Sequence, residues 1–421
     1  MTVTTTQTVS VRDREILRRL GERLAVLAAD PVMDERRRLW KAHSVLHSER
    51  PMLLAEVSGV LDELIPLTAL TCEGEWARGA ERGLRARLFV AEEVGDDSVV
   101  EAKVYYRHAV QKSGYGVEAV MHRGDDGHGH GSAVWDAPLQ TLPDDLDKLH
   151  FQEYHYDEAA TLQQQALLES VFGDVLTVTN QDWHWWTMGL TGTAINLIGL
   201  EELMLKMYDE PEGLHALMAF LRDDHLRMLD WYETHGMLTL NNDDSYIGSG
   251  SVGYTDALPQ PGYTPGEPVR IADLWGLSES QETVSVSPGL FEEFVFPYQL
   301  PVISRFGLSY YGCCEPLERR WHIVKQIPNL RRVSVAPWSD EEAMAANLGQ
   351  EYIYCRKPNP AYVSTKWEED IIRQDLRNTL ELTRGMAVEI AMKDVHTVAQ
   401  QPWRLGRWVE IAREEIARVW G

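Results

Sequence analysis

Two adjacent thiols, Cys313 and Cys314, close the run Gly-Leu-Ser-Tyr-Tyr-Gly-Cys-Cys-Glu-Pro-Leu at residues 307–317. Its apolar part reads as a buried strand that stops at the thiols, the carboxylate of Glu315 and a proline. Thiolates are nucleophiles and ligands for soft metals, so a strand end carrying thiols and a carboxylate suits a metal ion or an activated thiol. The same two residues also make sense as small buried side chains, a common use of cysteine.

Other chemically capable groups follow apolar runs elsewhere. Asp182 and His184 come after 175–179, among Trp183, Trp185 and Trp186. Asn241 ends 237–241, and Glu282 lies beyond 271–276. Trp338 follows 332–336, Arg356 and Lys357 follow 351–355, and Asp394 and His396 follow 387–393. Asp182, Glu282 and Asp394 are the candidate catalytic groups, able to exchange a proton or hold a cationic partner. His184, Asn241, Trp338, Arg356 and Lys357 are the candidate substrate-binding groups, the last two as cations for a carboxylate or phosphate. Cys313, Cys314, Glu315 and His396 are the candidate metal ligands, although they show no tight ligand spacing. Plain structural roles compete at each position: a helix cap for an aspartate, a core aromatic for a tryptophan, a solvated pair for Arg356 and Lys357. His122, His128 and His130 occupy a Gly-rich polar stretch, expected to be a flexible loop because a metal site needs fixed ligands.

Elements must position these groups. Eight apolar runs read as strands: 52–57, 175–179, 237–241, 271–276, 307–312, 332–336, 351–355 and 387–393. Helical patterns separate many of them. The longest has Leu214, Leu217, Met218, Leu221, His225 and Leu229 on one face, with Gly236 beyond its end. Ser287 before Pro288 predicts another helix start. Strands alternating with helices argue for parallel βα units. Eight of them predict an α/β protein, a (β/α)8 TIM barrel with an N-terminal helical extension and insertions. Residues 1–48 are assigned to the tail and helical extension, and 49–421 to the barrel. Strand C-terminal ends would then meet at one mouth. The Val- and Tyr-rich stretch 89–120 reads as an insertion or a strand with a hairpin arm, and the Gly/Pro-rich 242–270 as a lid or insertion.

The 421 residues carry 65 acidic against 40 basic side chains, a formal charge of -25. Such a chain repels a phosphate backbone, so no nucleic-acid partner is expected. No long uncharged apolar window predicts a membrane span. The N-terminal residues lack a basic region followed by an apolar run, so no signal peptide is expected. Four cysteines without a pairing pattern fit a reducing cytoplasm.

The chain resembles the uroporphyrinogen decarboxylase superfamily, which includes cobalamin-dependent and coenzyme M methyltransferases. The matching residues are Arg50-Pro51, Val286-Ser287-Pro288 with Phe291, Phe294 and Pro297, Phe306 to Glu315, Asn329-Leu330, and Val388–Lys393 with the helix after it. They cover roughly residues 170–420 and part of 35–60. The family fold is a barrel of eight βα units. In its zinc methyltransferase branch a His-x-Cys pair ends the strand equivalent to 307–312, and a later cysteine lies near the last strand. Here Tyr311-Gly312-Cys313 replaces that pair, and Glu389, Lys393, Asp394 and His396 stand near the last strand. Only Cys313 matches a family ligand. Met-Leu-Leu-Ala-Glu-Val-Ser after Pro51 departs from the arginine pattern of porphyrinogen decarboxylation.

The resemblance implies a metal-dependent methyltransferase that moves a methyl group between a small molecule and a corrinoid or thiol acceptor. Zinc is the implied metal, and cobalamin would come on a corrinoid partner protein. Two alternatives stay open: a metal-independent decarboxylase or lyase acting on a small carboxylate, and a non-catalytic small-molecule binding protein. A homodimer also stays open.

Overall fold

The computed structural model describes residues 8–124 and 133–421. Its centre is a six-stranded parallel sheet. In spatial order the strands are Met52–Ala55, Val388–Met392, Ile353–Arg356, Leu330–Val335, Leu308–Tyr311 and Trp275–Ser278. Most consecutive strands in the second half also neighbour in space, as short βα connections dictate. Lys103–Tyr106 and Thr177–Asn180 form a separate parallel pair.

Alternation along these strands divides two environments, because successive side chains point to opposite faces. Val388, Ile390 and Met392 join the large apolar cluster under the helices. Glu389, Ala391 and Lys393 point the other way, toward the hollow of the sheet. There Glu389 meets His43 and Arg332, Ala391 meets Trp40 and Tyr254, and Lys393 meets Cys313. In the same way Val333 and Val335 face the helices, while Tyr310 and Cys355 pack inside against Trp186.

Among the described residues, seven of the eight expected strands form ladders, and the hydrogen-bonded sheet does not close. Met237–Asn241 forms none. The Asn241 amide takes the place of a ladder, donating to the Trp275 carbonyl at 3.0 Å and accepting from its N–H at 2.9 Å. At the other edge, Asp96 and Asp97 accept the Ala55 and Leu53 amides, both at 2.8 Å. Side chains thus satisfy edge backbone groups that a neighbouring strand would otherwise pair. The expected strand at 271–276 is a short helical turn, Ile271–Asp273, followed by the strand proper.

Helices form the outer layer. Pro211–Thr234 buries the face expected for it, including Leu214, Leu221 and Leu229. Ser287 caps Pro288–Phe294 by accepting from the Leu290 amide. Val11–Ala28 packs on Glu75–Phe89 around a smaller core with Leu17, Leu84 and Phe172. Within 242–270, Tyr246–Gly248 and Ser251–Val252 pair as a short hairpin. His122 lies on the strand Val120–Arg123 and meets Asp136 at 2.9 Å, whereas His128 and His130 lie outside the described residues. No helix among the described residues is long and apolar enough to cross a membrane.

Candidate functional site

A cavity of about 570 Å³ opens at the C-terminal ends of the strands. Trp183, Trp185, Trp186, Trp275 and Tyr246 contribute aromatic wall, and Glu56, Arg107, Asp182, His184, Lys393 and Asp394 the ionisable groups. The loop after Thr177–Asn180 supplies Trp183, Trp185 and Trp186, and the strand Trp275–Ser278 supplies Trp275. Arg107 lies over the Trp183 ring at 5.6 Å.

The thiols sit where Lys393 and Asp394 pass from the cavity wall to the sheet interior. Gly312 has φ +96, a region that favours glycine, and turns the chain sharply out of the strand. A Cβ there would meet Leu317 and Ser334 at 3.0 and 3.1 Å. The turn places the Cys313 and Cys314 sulfurs 3.5 Å apart. The Lys393 ammonium lies 3.5 Å from Cys313, and the Asp394 carboxylate 3.7 Å from Cys314 and 3.3 Å from Lys393. Asp394 itself has φ +57, a conformation that aspartate tolerates better than most residues.

Hydrogen bonding from Cys314, then the Lys393 charge, outweighs burial and holds the Cys313 thiol at about 6, against 9.0 for an ordinary thiol. Cys314 moves the other way, because it supplies the shared proton and is partly buried. The pair therefore loses its first proton early and its second late. Burial lowers the Lys393 ammonium's affinity for its proton, but the Cys313 charge raises it further.

Glu315 is fully enclosed, and its oxygens accept the Ser280 and Cys313 amides, both at 2.9 Å. Burial lifts its carboxyl to about 7. Glu279 is raised well above the usual range, first by burial and then by the neighbouring Glu315 and Glu282.

The expected residues divide accordingly. Asp182 lines the cavity and accepts from the His108 amide and ring, both at 2.8 Å. His184 also lines it, 2.7 Å from the Met237 carbonyl, and burial lowers its basicity. Asn241 lines it too, although its amide is committed to Trp275. Glu282 lies outside the lining and accepts from Thr191 at 2.7 Å. Trp338 is exposed and donates to the Cys314 carbonyl at 3.1 Å. Arg356 points into the helical layer, paired with Glu341 at 2.8 Å and Asp375 at 3.4 Å. Lys357, one residue on, points inside and donates to Cys355 at 2.7 Å. Neither of these two cations lines the cavity.

Of the four candidate metal ligands, Cys313 and Cys314 are in contact, while Glu315 is spent on backbone amides. His396 has an interaction partner of its own. Among the described residues, no group of three or more His, Cys, Asp or Glu side chains is placed to hold a metal ion. The donor set therefore does not fit the zinc that the resemblance implies. Arg107, His108 and Lys393 were absent from the expected set. Lys393 was open to discovery, since it shares the period-two face of Glu389 and Ala391.

No family model matches the chain, and no curated protein matches it. Among solved structures, the chain is similar to a methyltransferase from Methanosarcina mazei. The TM-score is 0.48 at 11% identity, over 90% of this chain and 97% of that one.

Proposed function

We propose that the protein is a methyltransferase in which the Cys313 sulfur is the nucleophile and the substrate is a small methylated cation. The observation that carries this reading is the thiol pair set against Lys393 and Asp394, two residues that themselves line the aromatic-walled cavity. A sulfur ionised near neutral pH is a competent nucleophile toward carbon. Aromatic faces with nearby carboxylates attract quaternary ammonium and sulfonium groups, and Glu56, Asp182 and Asp394 supply the carboxylates here. In the transfer, a bond forms between the Cys313 sulfur and the methyl carbon as the carbon–nitrogen or carbon–sulfur bond breaks. The leaving amine or thioether departs neutral with the electron pair, so the step needs no proton donor. Lys393 keeps the sulfur ionised, and the tryptophans orient the cation and exclude water.

A second acceptor must take the methyl from Cys313 for turnover. We assign that role to the corrinoid protein or thiol implied by the family resemblance. Zinc is left out of the proposal because the donor set does not fit it. The lyase reading loses its carboxylate-binding pair, since Arg356 is committed to Glu341 and Asp375 and Lys357 to the interior.

The test incubates the protein with trimethylammonium and dimethylsulfonium donors, followed by peptide mass analysis. The expected result is one added methyl on Cys313, absent in Cys313→Ser. Donor binding without any methylation of Cys313 would support the binding-protein reading and sink this one.

A further inference from the structure

We infer that Cys313 and Cys314 form a reversible disulfide with each other, making this strand end a two-electron redox site for a small peroxide. Three observations carry the inference. The sulfurs already stand 3.5 Å apart on adjacent residues. A disulfide bond is about 2.05 Å long, so closure has to bring the sulfurs roughly 1.5 Å nearer. The backbone through and after the pair is held, because Ser334 donates to the Cys313 carbonyl at 2.8 Å and Trp338 to the Cys314 carbonyl at 3.1 Å. The other two cysteines have no thiol beside them: Cys72 lies against the Asp13 carbonyl, and Cys355 against Tyr310 and Lys357.

Access and charge favour a small oxidant. Cys313 is buried and Cys314 half-buried, so a peroxide reaches the pair more easily than a protein disulfide does. The Lys393 ammonium beside Cys313 stabilises negative charge on its sulfur, and the Asp394 carboxylate beside Cys314 can accept a proton.

The Cys313 sulfur takes one peroxide oxygen as the O–O bond breaks. Cys313 becomes a sulfenic acid, and the released hydroxide leaves as water with the thiol proton. The Cys314 sulfur then displaces the hydroxyl, the S–S bond forms, and a second water leaves with the Cys314 proton. Two thiols lose two electrons and two protons, and one peroxide is reduced to two waters. Neighbouring Cα atoms lie about 3.8 Å apart across a trans peptide, closer than the roughly 4.4–6.8 Å that disulfides favour. The resulting ring is strained and therefore easily reduced, which suits a reversible couple better than a structural bridge. Loss of the nucleophile would also stop methyl transfer; that consequence alone rests on the proposed function.

The full chain is treated with hydrogen peroxide at stoichiometric amounts, alkylated with N-ethylmaleimide after denaturation, and digested. The expected peptide over 313–314 has lost two hydrogens, carries no maleimide, and recovers both thiols with dithiothreitol. Phenylarsine oxide, which bridges paired thiols, should bind one per chain and protect both. Cys314→Ser should instead trap a sulfenic acid at Cys313 that reacts with dimedone, with unchanged circular dichroism. Two freely alkylated thiols after peroxide, or a bridge between chains, would overturn the inference. A disulfide that forms in protein unable to accept a methyl group would overturn the functional reading and leave this one standing.

Discussion

At the scale of single residues, the proposed chemistry turns on two sulfurs 3.5 Å apart. The position and type of Cys313 and Cys314 were legible, because an apolar run broken by thiols marks a strand end. The acidity of Cys313 was not, since it depends on the hydrogen bond from Cys314 that the turn sets and on the Lys393 charge, some 80 positions later. A thiol held at about 6 is ionised above that pH and protonated below it. Alkylation of Cys313 by iodoacetamide should therefore rise with pH around a midpoint near 6. Cys314→Ala removes the hydrogen bond that lowers Cys313 most, so the midpoint should move upward toward that of an ordinary thiol. An unmoved midpoint in rate-against-pH measurements would show that Cys314 does not set it. Glu315 shows what residue type leaves open and the fold fills in. A carboxylate next to thiols looks like a ligand, and only the fold shows two backbone amides already on it.

At the scale of elements, alternation decides more than identity. Arg356 and Lys357 look equivalent as a pair of cations after an apolar run. Period two sends the first to Glu341 and Asp375 among the helices and the second to Cys355 inside the sheet. That outcome was readable in principle once the strand's phase was known, but the phase needed the neighbouring strands. The segment Met237–Asn241 misled in a different way. Its apolar pattern suits a strand, yet backbone pairing is replaced there by the Asn241 side chain. Asn241→Ala leaves the Trp275 N–H and carbonyl without those partners and should lower stability by about 2 kcal/mol. Urea denaturation reads this directly, and an unchanged midpoint would mean that the amide does not hold the segment to the sheet.

At the scale of the whole molecule, charge is buried at the centre. Glu389, Arg332 and His43 are all enclosed inside the sheet. Arg332 Nε and Glu389 Oε2 lie 3.2 Å apart without hydrogen-bond alignment, so the attraction is coulombic, and the guanidinium also lies over Trp275 at 4.9 Å. Burial alone would raise the Glu389 carboxyl, but the Arg332 charge and His43 hold it well below its ordinary value. Such a depressed group stabilises the fold above its unfolded value of 4.5, and that contribution is lost as pH falls further. Glu389→Ala strands the Arg332 charge and should cost roughly 3–5 kcal/mol in urea unfolding at neutral pH. Replacing both residues with methionine should recover most of that loss, because it removes the stranded charge as well. Equal destabilisation in the single and double variants would rule out charge stranding as the cause.

The sequence by itself determined the α/β class, the order of most elements, the helix faces and caps, and the position of the thiols. Those features follow from local periodicity, capping chemistry and residue type, all of which act over a few residues. Only the tertiary structure decided which strands pair and that the hydrogen-bonded sheet stays open. It also decided which groups line the cavity, and that Cys313 meets Cys314, Lys393 and Asp394 rather than a complete set of metal donors. Those outcomes depend on register and on contacts between distant segments, and a strand shifted by one residue would turn every side chain to the other face.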